Sequence, residues 1–157
     1  MKKLLLLLMI VALVGSGCTK EECRCNKHDL PIWKIVDYSI FRSEWELIGE
    51  AGEIGSYYYY VADVPELTQR VYDDGLFLCY YLFRDEHGID VQTPLPFSAY
   101  YIDAWKDDYG NDWETPWSEH FSYDVATGSI AFKLVYSNFY TGNPPPARCD
   151  FRLVLLY

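Results

Sequence analysis

Ser118, His120, Ser122 and Asp124 recur at every second position. On a β-strand that spacing puts all four on one face. A hydroxyl, an imidazole and a carboxylate on one face are the ingredients of a nucleophile, a base and an orienting acid. The rest of a hydrolase is missing from the sequence: it has no Gly-x-Ser-x-Gly elbow and no recognisable oxyanion loop. A polar row of this kind is also what the solvent face of a strand looks like. A small hydrolase is therefore the last of three functional readings. The other histidines are His28, near the N-terminus, and His87, in the polar stretch Arg84-Asp85-Glu86-His87-Gly88.

Asp107-Asp108-Tyr109-Gly110-Asn111-Asp112 gathers hard oxygen donors of the type Ca²⁺ prefers. The order departs from the EF-hand pattern, and Asp or Asn beside Gly is ordinary turn chemistry. Cys23 and Cys25 are two apart, with no second ligand pair at matching spacing. Glycine-rich phosphate loops are absent. The sequence points to no metal, no cofactor and no catalytic residue.

The aromatic residues carry more. Phe, Trp and Tyr make up 18% of the chain, and three of the five tryptophans, Trp105, Trp113 and Trp117, surround the acidic turn. Tyr100, Tyr101 and Tyr109 lie nearby. Exposed rings stack on sugar faces while polar neighbours bond the hydroxyls. Rings on strands also pair across a sheet and fill cores. Trp105, Tyr109 and Trp117 are the candidate binding residues, and Trp113, at the start of a strand, is expected to be buried.

The elements that must position these residues are almost all β. Residues 129–137 and 121–125 alternate apolar and polar side chains around the turn Ala126-Thr127-Gly128-Ser129, which predicts a hairpin. About eight strands are expected, at 32–40, 44–48, 56–63, 76–84, 95–103, 113–125, 129–137 and 147–157. Residues 76–83 are apolar on both faces, which predicts a central strand covered on two sides, with Leu78 in the core. One short helix is expected near 65–74, capped by Asp63, with Pro65 in its first turn and Gly75 as its stop. Short, evenly spaced strands predict an antiparallel two-sheet sandwich. Cys79 and Cys149 both fall on strands, either bridged or as two buried thiols.

The N-terminus supplies an address. Lys2 and Lys3 precede an apolar run of eleven residues, 4–14, too short to span a bilayer. It suits the apolar region of a signal peptide. Gly15-Ser16-Gly17-Cys18 follows, a lipobox-like end in which Gly15 stands where an aliphatic residue is usual. This predicts a leader at 1–17, an acylated Cys18, a tether at 18–30 and a single β-sandwich domain at 31–157. Thr19-Lys20-Glu21-Glu22 is similar to the export tag of surface lipoproteins of the Bacteroidota. The expected location is the outer membrane, lipid-anchored and facing outward. The formal charge is −10, and cleavage would remove only Lys2 and Lys3 among the charges. Such a balance argues against nucleic acid, whose binding rests on Lys and Arg neutralising phosphate. The expected partners are the membrane, through the anchor, and a glycan or an envelope protein.

A wider likeness agrees. VPELTQRVYDDGLFLCYYLF, TPLPFSAYY, YDVATGSIAFKLVYSNFY and the final FRLVLLY occur in that order. The set resembles small outer-membrane lipoproteins of the Bacteroidota, in which a VPEIT-type helix precedes a strand, an LPY-type strand follows, and the chain ends in FRVVLLW or similar. The resemblance implies the same address and a β-rich fold, and adds no catalytic residue. The leading reading is a non-enzymatic binding or accessory module of the envelope, with glycan as its most specific ligand. The alternative is a structural or interaction subunit of a cell-envelope or pilus-like assembly.

Overall fold

A computed structural model describes residues 32–138 and 144–157. Cys18, Cys23, Cys25 and His28, and with them the leader and tether, lie outside the described residues.

The described chain forms strands β1 (Trp33–Phe41), β2 (Glu46–Ile48), β3 (Tyr57–Asp63), β4 (Leu76–Arg84), β5 (Asp90–Pro94), β6 (Phe97–Lys106), β7 (Asp112–Ala126), β8 (Ser129–Tyr136) and β9 (Arg148–Leu156). A 3-10 turn, Arg42–Glu44, follows β1, and a six-residue helix, α1 (Gln69–Asp74), precedes β4. Two antiparallel sheets result: sheet A in the order β1-β9-β4-β5, and sheet B in the order β2-β3-β8-β7-β6.

Alternation decides which side chains meet between the sheets. Ile130, Phe132, Leu134 and Tyr136 of β8 are all buried, as are Cys149, Phe151, Leu153 and Leu155 of β9. The two strands belong to different sheets, and Phe132 stacks on Phe151 with ring centroids 4.4 Å apart. Tyr81 of β4 stacks on Phe121 of β7 at 4.7 Å. This is the two-sheet sandwich expected from the pattern, with aromatic pairs adding to simple area burial. Cys79 and Cys149 are free and buried, and removal from water pushes both thiols up to about 12.

Three details differ from the expectation. The strands number nine among the described residues against about eight expected, the addition being the edge strand β5 (Asp90–Pro94), a stretch between the expected strands 76–84 and 95–103. Its terminal Pro94 needs no ladder donor at an edge.

The helix starts later than expected. Thr68 is its N-cap, its hydroxyl accepting a long 3.4 Å bond from the Val71 N–H, so Asp63 and Pro65 lie outside it. Gly75 ends it, but with φ −88° rather than in the left-handed region. The need for glycine is steric, since a Cβ there would lie 2.4 Å from the Val71 carbonyl oxygen.

The third correction concerns β4. Its inward residue Cys79 is buried, but Leu76 and Leu78 on the other face are 52% and 42% exposed. The helix that could have covered them is used elsewhere. Val64, Leu67 and Val71 enter the core, and the Leu67 carbonyl accepts from the Gly128 N–H at 2.7 Å. That places α1 and its lead-in at the end of the sandwich beside the β7–β8 turn, so β4 is covered on one side only.

Candidate functional site

β6 and β7 pair over ten positions, from Phe97 opposite Phe121 to Trp105 opposite Trp113 and Lys106 opposite Asp112. β8 follows β7 only as far as Tyr136 opposite Glu119. Beyond that point, among the described residues, the two strands continue as a hairpin without a third strand. Pro116 is tolerated there because, among the described residues, β7 has no neighbour to serve on its β8 side.

Period two puts Tyr101, Asp103 and Trp105 on the face that continues from Phe97, with Trp117, Thr115 and Trp113 opposite them. Three cross-strand rungs result. Tyr101 stacks on Trp117 at 4.5 Å and 23°, and Trp105 on Trp113 at 6.1 Å and 19°. Asp103 and Thr115 form the polar rung between them. The ring rungs are four positions apart on each strand, a distance of roughly 13 Å at strand rise.

Hydrogen bonds hold the rings by their edges and leave faces open. Trp105 Nε1–H donates to Thr115 Oγ1 at 3.4 Å, and Trp113 Nε1–H donates to Asp107 Oδ2 at 3.2 Å. Trp105 and Trp113 are 51% and 53% exposed. Trp117 is half-buried, wedged against the edge of Tyr136 at 5.7 Å, and its indole N–H is buried without a hydrogen-bond partner among the described residues. Tyr101 O–H donates to Glu119 Oε2 at 3.2 Å. Burial raises the Glu119 carboxyl above its ordinary value, against the lowering effect of that bond. At the foot of the ladder a cavity of about 250 Å³ is lined by Tyr81, Phe83, Phe97, Tyr101, Glu119 and Phe121, together with Ala99.

The turn at the tip is built by one carboxylate. Asp107 accepts from the N–H groups of Tyr109 at 3.0 Å and Asn111 at 2.8 Å, from Asn111 Nδ2 at 2.8 Å, and from Trp113. Those bonds, Asn111's foremost, lower its pKa to about 2. Gly110 supplies the positive φ of +85° that the tight turn requires. The acidic turn thus spends Asp107 on its own geometry, and no group of metal-ligating side chains occurs among the described residues.

The candidate residues are therefore distributed as follows. Trp105 lies on the ladder and is exposed. Trp117 lies on the ladder but packs toward the core. Tyr109 sits at the turn tip, 92% exposed, and makes no ring contact among the described residues. Trp113, expected to be buried, is an exposed partner of Trp105. Tyr101 completes the ladder, and its place two residues before Asp103 and four before Trp105, on the same strand face, is the signal the sequence offers.

The row Ser118, His120, Ser122, Asp124 faces away from the core on β7. His120 Nδ1 lies 2.9 Å from Ser98 Oγ of β6, while Asp124 is engaged by Lys133 of β8. The carboxylate is thus held by a lysine rather than by the imidazole.

Comparison with protein-family models, with curated proteins and with solved structures finds no significant match to this chain.

Proposed function

We propose that this chain is an outer-membrane lipoprotein that binds neutral glycans, without turnover, on the ladder face of the β6–β7 hairpin. The observation that carries the reading is the ring–polar–ring sequence of rungs: Tyr101 with Trp117, Asp103 with Thr115, Trp105 with Trp113. Aromatic faces offer apolar surface to the C–H faces of a sugar, and Asp103, Thr115 and Glu119 offer hydroxyl partners between and beside them. The surrounding charge selects the ligand class. Asp107, Asp108, Asp112 and Glu114 crowd the hairpin tip, and the chain carries −10 overall, so sulfated or uronic polymers are repelled. The run ending at Cys18, the following Lys20-Glu21-Glu22 and the resemblance to Bacteroidota lipoproteins support a glycan-rich surface as the setting.

Screening the chain on a broad glycan array, followed by calorimetric titration, tests the reading. Neutral oligosaccharides should bind, and Trp105→Ala and Trp113→Ala should each lower affinity at least tenfold while the protein keeps its core fold. Stacking of one ring is worth about 1 kcal/mol beyond area burial, so the melting temperature should move by only a few degrees. A wild-type chain that binds nothing on the array would remove glycan binding and leave the envelope-assembly role in its place.

A further inference from the structure

The outer face of sheet A is divided across its middle. At one end it is ionic: Arg152 clasps Asp37 through bonds of 2.7 and 2.9 Å, Arg148 bonds Asp150 at 2.8 Å, and Arg84 bonds Asp90 at 2.9 Å. At the other end two successive cross-strand rows are wholly apolar. Trp33, Leu156 and Leu76 form one row, and Ile35, Val154 and Leu78 form the next. Trp33 is 70% exposed, Leu76 52%, Ile35 48% and Leu78 42%. A shallow groove of about 390 Å³ runs over these residues. Single apolar residues on a surface are ordinary, but six contiguous ones on three adjacent strands mark a surface that something covers.

The chain's own path points to the occupant. The preceding residue, Ile32, is 60% exposed and joins this end of the sheet through paired bonds with Tyr157, at 2.6 and 2.8 Å. Cys18 lies 14 residues before Ile32. A fully extended chain of that length reaches at most about 50 Å, and a flexible one averages roughly 20 Å. An acyl anchor at Cys18 therefore holds the patch beside lipid at an effective concentration on the order of millimolar. The composition suits an interface, since tryptophan with aliphatic neighbours favours the boundary between headgroups and acyl chains. The acid bordering the patch, Asp37, is already neutralised by Arg152.

We propose that the apolar end of sheet A's outer face, centred on Trp33, Ile35, Leu76 and Leu78, is a membrane-contact surface that lies on the bilayer to which Cys18 is anchored. This rests on the lipoprotein reading above. The net acidity of the chain makes an uncharged or zwitterionic lipid surface the matching one.

The mature chain with acylated Cys18, reconstituted into phosphatidylcholine–phosphatidylethanolamine vesicles with brominated acyl chains, tests it. Part of the tryptophan emission should be quenched. The quenching should fall several-fold in Trp33→Phe and in the pair Ile35→Ser with Leu78→Ser, while melting curves stay close to wild type. Mass measurement of the N-terminal peptide reports acylation independently. An unacylated Cys18 removes the anchor and the docking together. An acylated, vesicle-bound chain with unquenched emission overturns the docking and leaves the anchor standing. Sedimentation showing a dimer that Ile35→Ser with Leu78→Ser dissociates would give the face to a second copy, and would likewise overturn it.

Discussion

Asp107 supplies four of the contacts that close the hairpin turn, one of them to Trp113 of the ring ladder. Its ionisation is therefore tied to the order of the candidate site. Its carboxyl titrates at about 2 in the folded chain against an ordinary 3.8. A carboxyl lowered by folding contributes stability that is fully present above its unfolded value and is lost as pH falls through its folded value. The stacked Trp105–Trp113 pair should give an exciton couplet in circular dichroism that is constant from neutral pH to about 4. The couplet should fade between about 4 and 2, and Asp107→Asn should weaken it at every pH. A couplet in Asp107→Asn equal to that of wild type would show that the turn does not depend on this carboxylate. Trp105 was identifiable from its position beside a polar turn. Trp113 is exposed against the expectation for a residue at the start of a strand, since the sequence does not show that β7 outruns β8.

At the scale of elements, alternation was readable wherever one face meets the core. β8 and β9 were legible in this way: Ile130, Phe132, Leu134 and Tyr136 of β8 and Cys149, Phe151, Leu153 and Leu155 of β9 alternate into the core. β5 was not legible, because an edge strand with Asp90, Gln92 and Pro94 facing out has the composition of a loop. β4 was misread in the opposite direction: an apolar outer face looks the same in sequence whether a helix, a membrane or nothing covers it. Energetics separate the two faces. Phe132 is fully buried and stacked on Phe151, so Phe132→Ala should cost about 3–5 kcal/mol in denaturant melts. Leu78 is 42% exposed, so Leu78→Ala should cost about 1 kcal/mol or less in the lipid-free chain. Equal losses would place Leu78 under a cover that the sheet order does not supply.

At the scale of the molecule, the two candidate surfaces lie at opposite ends of the sandwich. Tyr123 O–H of β7 reaches the Phe77 carbonyl at 3.5 Å, close to Leu76 and the apolar rows. Phe121 stacks on Tyr81, further along β4, and the ring ladder continues from Trp117 to Trp113 in the same direction, past the end of β8. A chain held to lipid near Trp33 therefore carries its ladder outward, where a glycan can reach it. Among the described residues every fully buried core residue lies between Ile40 and Leu155, so the sandwich is expected to keep its fold without the attachment. Cys18→Ser in the expressing cell should therefore move the protein from the membrane fraction to the soluble one without changing its melting temperature or its glycan affinity. Palmitate labelling should disappear at the same time. Label persisting in Cys18→Ser would mean that another residue carries the lipid, and the reach calculated from Cys18 to the apolar rows would no longer apply.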